Sequence, residues 1–293
     1  MNLEIGSPEA GILVVNKREK MTSHDVVGAV RRIVAQKQVG HAGTLDPDAT
    51  GVLILGLGKA TRLLGLFGAL PKVYECTIVL GIATDTLDAS GEVTATYDMS
   101  GITEEAIQEA ILRLTGEIDQ FPPMVSAVKV NGKKLYEYFR EGIEVERPKR
   151  RVTVHSFEVI SRVSNELNVV ITCSSGTYIR SLAESLGQLL GGGAHVKDLR
   201  RTKIGDFDID SAIFLEDIIL GDIISIRDAL QFLPQIEVSS SLESRIFNGS
   251  PITRVEIEAA GPGPFAISGS GQSFIAIYQA VGLDKLKPLV VIK

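Results

Sequence analysis

What the chain lacks narrows its class first. It holds two cysteines, Cys76 and Cys173, far apart, and four histidines with no clustered spacing. A zinc centre draws on closely spaced Cys and His ligands, so no metal is expected, and the thiols are expected to be reduced core residues of a cytoplasmic protein. No apolar run approaches the roughly 18 residues a membrane helix needs. The richest runs, Val52 to Leu57 and Leu289 to Ile292, have strand length. Met1 to Ala10 carries two Glu and no basic residue, so no cationic secretory leader is expected. A GxxxxGK[ST] loop, a GxGxxG turn after a strand and any tandem repeat are also missing.

What is present suffices for a folded chain. The 293 residues suit one large domain or two, and 44% are hydrophobic with charge interspersed. The net charge of −6 argues at first against nucleic acid, but its distribution does not. Residues 1–203 balance 24 basic against 24 acidic side chains, whereas residues 204–293 hold 6 against 12. Lys129 to Arg151 has eight basic and four acidic residues, and Lys197 to Lys203 has four and one. Local patches, rather than overall charge, decide whether phosphates dock, although a charge run is also what any solvated face shows.

Apolar spacing sets out the elements. Gly11 to Asn16 is a buried strand, and Thr22 or Ser23 caps a helix to about Gln36 with Val26, Val27, Val30, Ile33 and Val34 on one face. The polar loop Gly40 to Gly51 leads into the strand Val52 to Leu57. Val73 to Ile82 is a strand with Tyr74, Cys76, Ile78 and Leu80 on one face. Thr103 caps a helix with Glu104 and Glu105 in its first turn. Strands Val152 to Ile160 and Leu167 to Cys173 precede a helix from about Tyr178 to Leu190, capped by Thr177 and ended by Gly191-Gly192-Gly193. This irregular alternation predicts an α+β class with a mixed, largely antiparallel sheet flanked by helices. A boundary is expected near Pro234, separating a main domain (residues 1–234) from a small all-β module (residues 235–293) with strands at Ile252 to Ile257, Phe265 to Ser268, Phe274 to Val281 and Pro288 to Ile292.

Three constellations carry chemistry. The loop Gly40 to Gly51 holds His41, Asp46 and Asp48, and Pro47 biases Asp46 toward extended backbone. It is either an ordinary Asp-Pro turn or a presented carboxylate. Arg180 lies in the first turn of a helix, where the dipole disfavours a cation, so an Asp on a neighbouring loop is expected as its partner unless solvent takes that role. Tyr74 on its strand is either packing or a stacking surface for a base.

At these residues the chain resembles a known family. His41-Ala42-Gly43-Thr44-Leu45-Asp46-Pro47-Asp48-Ala49-Thr50-Gly51 resembles the catalytic motif of TruB-type pseudouridine synthases. Lys72-Val73-Tyr74-Glu75, Ser175-Gly176-Thr177-Tyr178-Ile179-Arg180 and Gly193-Ala194-His195-Val196-Lys197-Asp198-Leu199-Arg200 resemble the later motifs of that family. Phe121 to Tyr136 resembles its RNA-binding insertion, at about residues 122–151. The family's opening Lys-Pro-x-Gly departs here to Lys17-Arg18-Glu19-Lys20, with the expectation of a looser loop.

The resemblance implies a pseudouridine synthase fold with a PUA-like C-terminal module, and a cytoplasmic isomerase acting on a T-loop uridine of tRNA. Asp46 would be the essential carboxylate, Arg180 its partner, Tyr74 the face that stacks on uracil and a helper in removing the C5 proton, and Leu199 an apolar wall. His41 would fill the vacated stack, with Lys17 and Tyr178 also at the substrate, and Lys129, Lys133, Lys134, Lys149, Arg150 and Arg151 would grip the T-stem-loop phosphates. Neither cofactor nor metal is implied, no obligate protein partner, and a monomer is expected. A non-catalytic RNA-binding or tRNA-folding protein would use the same patches without needing Asp46. A hydrolase with Asp46 and Asp48 as a pair is disfavoured, since residues two apart around Pro47 can point apart.

Overall fold

The computed structural model describes residues 10–271 and 273–292, so the stretch read above for a leader lies outside the described residues up to its ninth position. The chain forms two compact units. One takes the chain up to Pro47, Val52–Gly68 and the chain from Asp210 onward; the other takes Asp48–Gly51 and Ala69–Ile209.

The first unit opens with β1 (Ala10–Lys17), α1 (Ser23–Ile33), β2 (Val39–Ala42) and β3 (Thr50–Gly58). β3 pairs with β1 and, antiparallel, with β2 from Val39↔Leu57 to Ala42↔Ile54. Apolar spacing along α1 puts Val26, Val27 and Val30 into one buried cluster with Leu13, Leu53 and Leu55 of the strands. Thr22 caps the helix reciprocally. Its hydroxyl accepts the Asp25 N–H at 3.1 Å, and the Asp25 carboxylate accepts the Thr22 N–H at 2.9 Å. Such a cap contributes about 1 kcal/mol. The helix ends at Ile33, short of the expected Gln36, because Ala35 turns into left-handed backbone (φ 48°).

In the second unit β4 (Lys72–Leu80), β5 (Gly116–Gln120), β6 (Arg150–Val163), β7 (Glu166–Cys173) and β8 (Ala194–Ile204) lie in the order β8-β4-β7-β6-β5, each neighbouring pair antiparallel. Thr50 and Gly51 add a parallel pairing to Arg200 and Arg201 of β8. The sheet is therefore mixed and largely antiparallel, as the spacing predicts. Gly51 has φ 103°, and a Cβ there would stand 2.1 Å from the Arg201 carbonyl oxygen, so this approach requires glycine. The unit's helices are α2 (Glu104–Arg113), α3 (Leu135–Arg140) and α4 (Ile179–Leu189). α4 packs on β8 and against α2 through a buried face that includes Leu182, Ala183 and Leu186.

The C-terminal part of the first unit contains α5 (Ser240–Phe247) and a curled antiparallel core of β9 (Phe265–Ser268), β10 (Phe274–Val281) and β11 (Lys285–Val291). Gln235–Glu237 and Ile252–Thr253 form its edges. Ile246, Phe265, Ile267, Tyr278 and Leu286 share its buried cluster. The strand expected over Ile252 to Ile257 stops at Thr253, because the Glu256 carboxylate accepts the Thr253 N–H at 2.7 Å and closes a turn instead. Among the described residues no helix is long and apolar enough to cross a membrane.

Candidate active site

The turn carrying Asp46 is held on both sides. Before it, Ser23 at the start of α1 accepts the Leu45 N–H at 2.9 Å through its hydroxyl. After it, the Lys17 ammonium donates to the Pro47 carbonyl at 2.9 Å, and also to Arg18 and Met21 carbonyls at 2.9 and 2.7 Å. Lys17 is only 1% exposed, while Asp46 stays half-buried. Lys17, expected at the substrate, is thus placed to shape the turn, since three carbonyl acceptors match the three ammonium protons. Removing such a buried cation would leave those carbonyls unsatisfied.

The loop after Lys17, expected to be looser, is pinned. The Arg18 guanidinium stacks 4.1 Å over the Phe214 ring and pairs with the Glu216 carboxylate. Lys20, standing where the resembled family has glycine, adopts φ 61°, the left-handed backbone for which glycine is suited. His41 sits half-buried in β2 opposite Leu55, two residues before Gly43.

In the second unit Arg180 is the second residue of α4 and 3% exposed. Its guanidinium donates to the Thr86 carbonyl at 3.0 Å, to Asp88 Oδ2 at 3.2 Å and to the Val125 carbonyl at 2.9 Å. Asp88 is thus one loop carboxylate that faces this cation near the helix start. Its other oxygen accepts from the Thr86 hydroxyl at 2.7 Å and from the Ser90 N–H and hydroxyl at 3.1 and 2.6 Å. The expected cap by Thr177 is not made. That hydroxyl donates to the Ser174 carbonyl at 2.9 Å, and Tyr178 takes the cap position with no side-chain bond. Gln120, the last residue of β5, supplies what the cap does not. It accepts the Tyr178 N–H at 2.7 Å and donates to the Tyr178 carbonyl at 2.9 Å. The Ser181 hydroxyl donates to the Phe121 carbonyl at 2.9 Å, so the chain entering the insertion is fastened to the start of α4.

Tyr74 lies in β4, 9% exposed, between Ile171 of β7 and Arg201 of β8. Beside it in the strand, Lys72 is 4% exposed and donates to the Leu70 carbonyl at 2.6 Å. Burial, reinforced by the Arg201 guanidinium, lowers its pKa to about 8. Leu199 follows Asp198, whose φ of 56° falls at a break in register between β8 and β4. Burial pushes the Cys76 thiol up to about 12 and the Cys173 thiol up to about 11, so neither is poised as a nucleophile.

The insertion begins with a two-residue hairpin, Lys129–Val130 with Lys133–Lys134, turned by Asn131 and Gly132 at φ 51° and 83°. Asn-Gly is the strongest short hairpin signal in a sequence, and it was open to reading here. The cations are interleaved with aromatics. Lys133 lies 4.7 Å over Tyr138, Lys134 5.3 Å over Tyr136, and Lys149 5.2 Å from the Phe121 ring centre. Lys133 pairs with Glu141 and Arg151 with Asp119, while Lys129 and Arg150 are exposed. Arg150 and Arg151 belong to the start of β6 rather than to a loop. Asp88 and Gln120 are the residues that sequence reasoning missed. Among the described residues no group of three or more His, Cys, Asp or Glu side chains is placed to hold a metal ion.

Residues 31–179 match the family described as TruB family pseudouridylate synthase (N terminal domain), and residues 180–223 match the tRNA pseudouridylate synthase B C-terminal domain. The tRNA pseudouridine synthase B of Geobacillus thermodenitrificans is 41% identical over 92% of this chain and 94% of its own length. That of a Mycobacterium species (strain KMS) is 52% identical over 70% of this chain and 71% of its own. Among solved structures, a Cbf5-Nop10-Gar1 complex contains a chain with TM-score 0.76 and 26% identity, covering 100% of this chain and 90% of that one. An H/ACA ribonucleoprotein bound to a substrate RNA containing 2'-deoxyuridine gives TM-score 0.73 at 22% identity, covering 100% and 91%, and shares the fold.

Proposed function

Because the chain belongs to the TruB family of pseudouridylate synthases, we propose that it isomerises one uridine in the T-loop of tRNA to pseudouridine, acting as a cytoplasmic monomer. It is a tRNA pseudouridine synthase, and therefore an isomerase. The observation that carries the site assignment is the turn at Asp46, fixed by Ser23 and Lys17 while its carboxylate is left half-buried.

The reaction breaks the bond from ribose C1′ to uracil N1, rotates the base and joins C1′ to C5, after which the C5 proton leaves. A stacked base cannot rotate, so the uridine is flipped out at a cost of about a few kcal/mol. Asp46 supplies the ionised carboxylate, either as nucleophile or as base toward the sugar. Tyr74 offers an aromatic face to the uracil and a hydroxyl for the C5 proton. Arg180 contributes a positive charge whose position Asp88 and two carbonyls fix in advance. Leu199 provides an apolar wall, and His41 and Tyr178 contact the RNA. Lys129, Lys133, Lys134, Arg150 and Arg151 hold the phosphates of the T-stem-loop, a grip that weakens steeply with salt.

The test is to incubate the protein with an unmodified tRNA transcript and map pseudouridine by base-specific chemical labelling. Wild type is expected to modify one T-loop uridine, and Asp46→Asn, which keeps shape and removes charge, none. Tight binding without any pseudouridine from wild type would replace this reading with that of an RNA-binding protein.

A further inference from the structure

Phe121 is exposed where its neighbours are not. It follows Gln120, which is 5% exposed, and precedes Pro122 and Pro123, both buried, yet it is itself 44% exposed. Its backbone is held on both sides. The Ser181 hydroxyl of α4 donates to the Phe121 carbonyl at 2.9 Å, and the Gln120 amide grips Tyr178 just ahead of it. Pro122 restricts the residue before it to extended backbone, and the ring of each proline fixes its own φ. The aromatic side chain is therefore presented on a fixed stem. A ring left in water forgoes the stabilisation of burial, and that stabilisation is open to whatever covers it.

Charge selects the occupant. β5 and β6 pair from Gln120↔Arg150, so the chain just ahead of β6 runs beside Phe121. It brings the Lys149 ammonium to 5.2 Å and the Arg147 guanidinium to 5.9 Å from the ring centre. Arg147 is tied to the Pro122 carbonyl at 3.0 Å. Lys149 is exposed and, among the described residues, makes no hydrogen bond and no ion pair. The Asp119 carboxylate, two residues before Phe121, pairs with Arg151 instead. An apolar partner seated on the ring would leave Lys149 without a counter-charge. An exposed π-face with a free ammonium beside it matches one unit of a single-stranded nucleic acid, a base for the ring and a phosphate for the cation. A duplex has no free base face to offer.

Position ties this platform to the substrate. The bond from Ser181 fastens Phe121 to the first turn of α4, where Arg180 is the preceding residue. An RNA whose uridine reaches Arg180 carries unpaired loop nucleotides on either side of that uridine. Resting on the function proposed above, we propose that Phe121 is a stacking platform for a second, unpaired nucleotide of the substrate loop, with Lys149 on its phosphate. This nucleotide is bound but not isomerised, so the ring reads the open architecture of the loop rather than the uridine itself.

The chain contains no tryptophan, so Phe121→Trp carries the only indole in the molecule and reports a stacked base by quenching. The whole protein with this substitution is titrated with an unmodified T-arm stem-loop transcript, and with transcripts made abasic at one loop position other than the target. Fluorescence should fall on binding, and one abasic position should restore most of it while the transcript still binds. Phe121→Leu keeps an apolar side chain and removes the π-face. Its KM for the stem-loop should rise about tenfold. Its kcat and unfolding temperature should match wild type, because such a stack is made equally in the ground and transition states. An unquenched indole, or a wild-type KM for Phe121→Leu, would overturn the proposal. So would quenching that no abasic position relieves, or that a fully paired RNA duplex produces equally, since the ring would then lie beside backbone alone. Quenching relieved at one position, from a protein whose wild type makes no pseudouridine, would instead sink the function on which the proposal rests.

Discussion

Gln120 and Tyr178 are joined by two hydrogen bonds from one side-chain amide, which meets both the N–H and the C=O of a residue 58 positions away. Gln120 is 5% exposed, so its own amide has little water to fall back on. Gln120→Glu keeps the acceptor and sets an anion against the Tyr178 carbonyl. It should cost about 1–3 kcal/mol of stability. Denaturant unfolding of this variant beside Gln120→Ala, which removes both bonds, measures the effect; two midpoints equal to wild type would show that the pair contributes nothing.

Asp88 should matter to turnover although it is not itself assigned to the substrate. Asp88→Asn preserves its shape but removes the charge that faces Arg180. With the guanidinium free to shift, kcat should fall on the order of tenfold to a hundredfold with KM little changed. A loss in KM alone would mean that Asp88 helps hold RNA rather than position Arg180.

Lys20 occupies left-handed backbone at φ 61°. A β-branched side chain is poorly accommodated there, so Lys20→Val should lower stability by about 1–2 kcal/mol. Lys20→Gly should leave it level or slightly raised, since relief of strain offsets the added freedom of the unfolded chain. Equal thermal midpoints for the two variants would contradict the strain argument.

Lys72 makes stability depend on pH in a defined window. Its pKa is about 8 in the folded protein against 10.5 for the ordinary side chain. Below about 8 it is protonated in both states, and the cost of burying that charge is present in full. Between 8 and 10.5 the unfolded chain holds a proton that the folded one has released, so stability rises with pH across that interval. Measured against Lys72→Met, wild type should gain stability from pH 8 to pH 10.5; parallel curves would sink the assignment.

The sequence carried the parts of this molecule that depend on neighbours along the chain. Alternation placed Tyr74, Cys76, Ile78 and Leu80 of β4 on a buried face, and Thr22 and Thr103 announced the caps they make. The bond from Arg180 to Asp88 was not legible, because Asp88 lies 92 residues away and spacing holds no information about such a pairing. Gln120 was silent for the same reason. Thr177 misled because a hydroxyl near a helix start serves equally well as a donor to the turn behind it. The exchange of glycine for Lys20 suggested slack, yet Lys17, Arg18 and Glu216 anchor that loop through contacts that only the fold reveals.

The fastening of the Asp46 turn also bears on when it takes shape. Ser23 reaches Leu45 across 22 residues and Lys17 reaches Pro47 across 30. The cost of closing such loops grows slowly with length, and doubling either would add only about 0.6 kcal/mol. Both of these partners precede the turn, so the two bonds that hold its backbone join segments made early in synthesis. Arg180 waits for a much later stretch of synthesis and for distant acceptors. Mutations that slow the placing of Arg180 should therefore delay activity while leaving the Ser23–Leu45 and Lys17–Pro47 bonds in place.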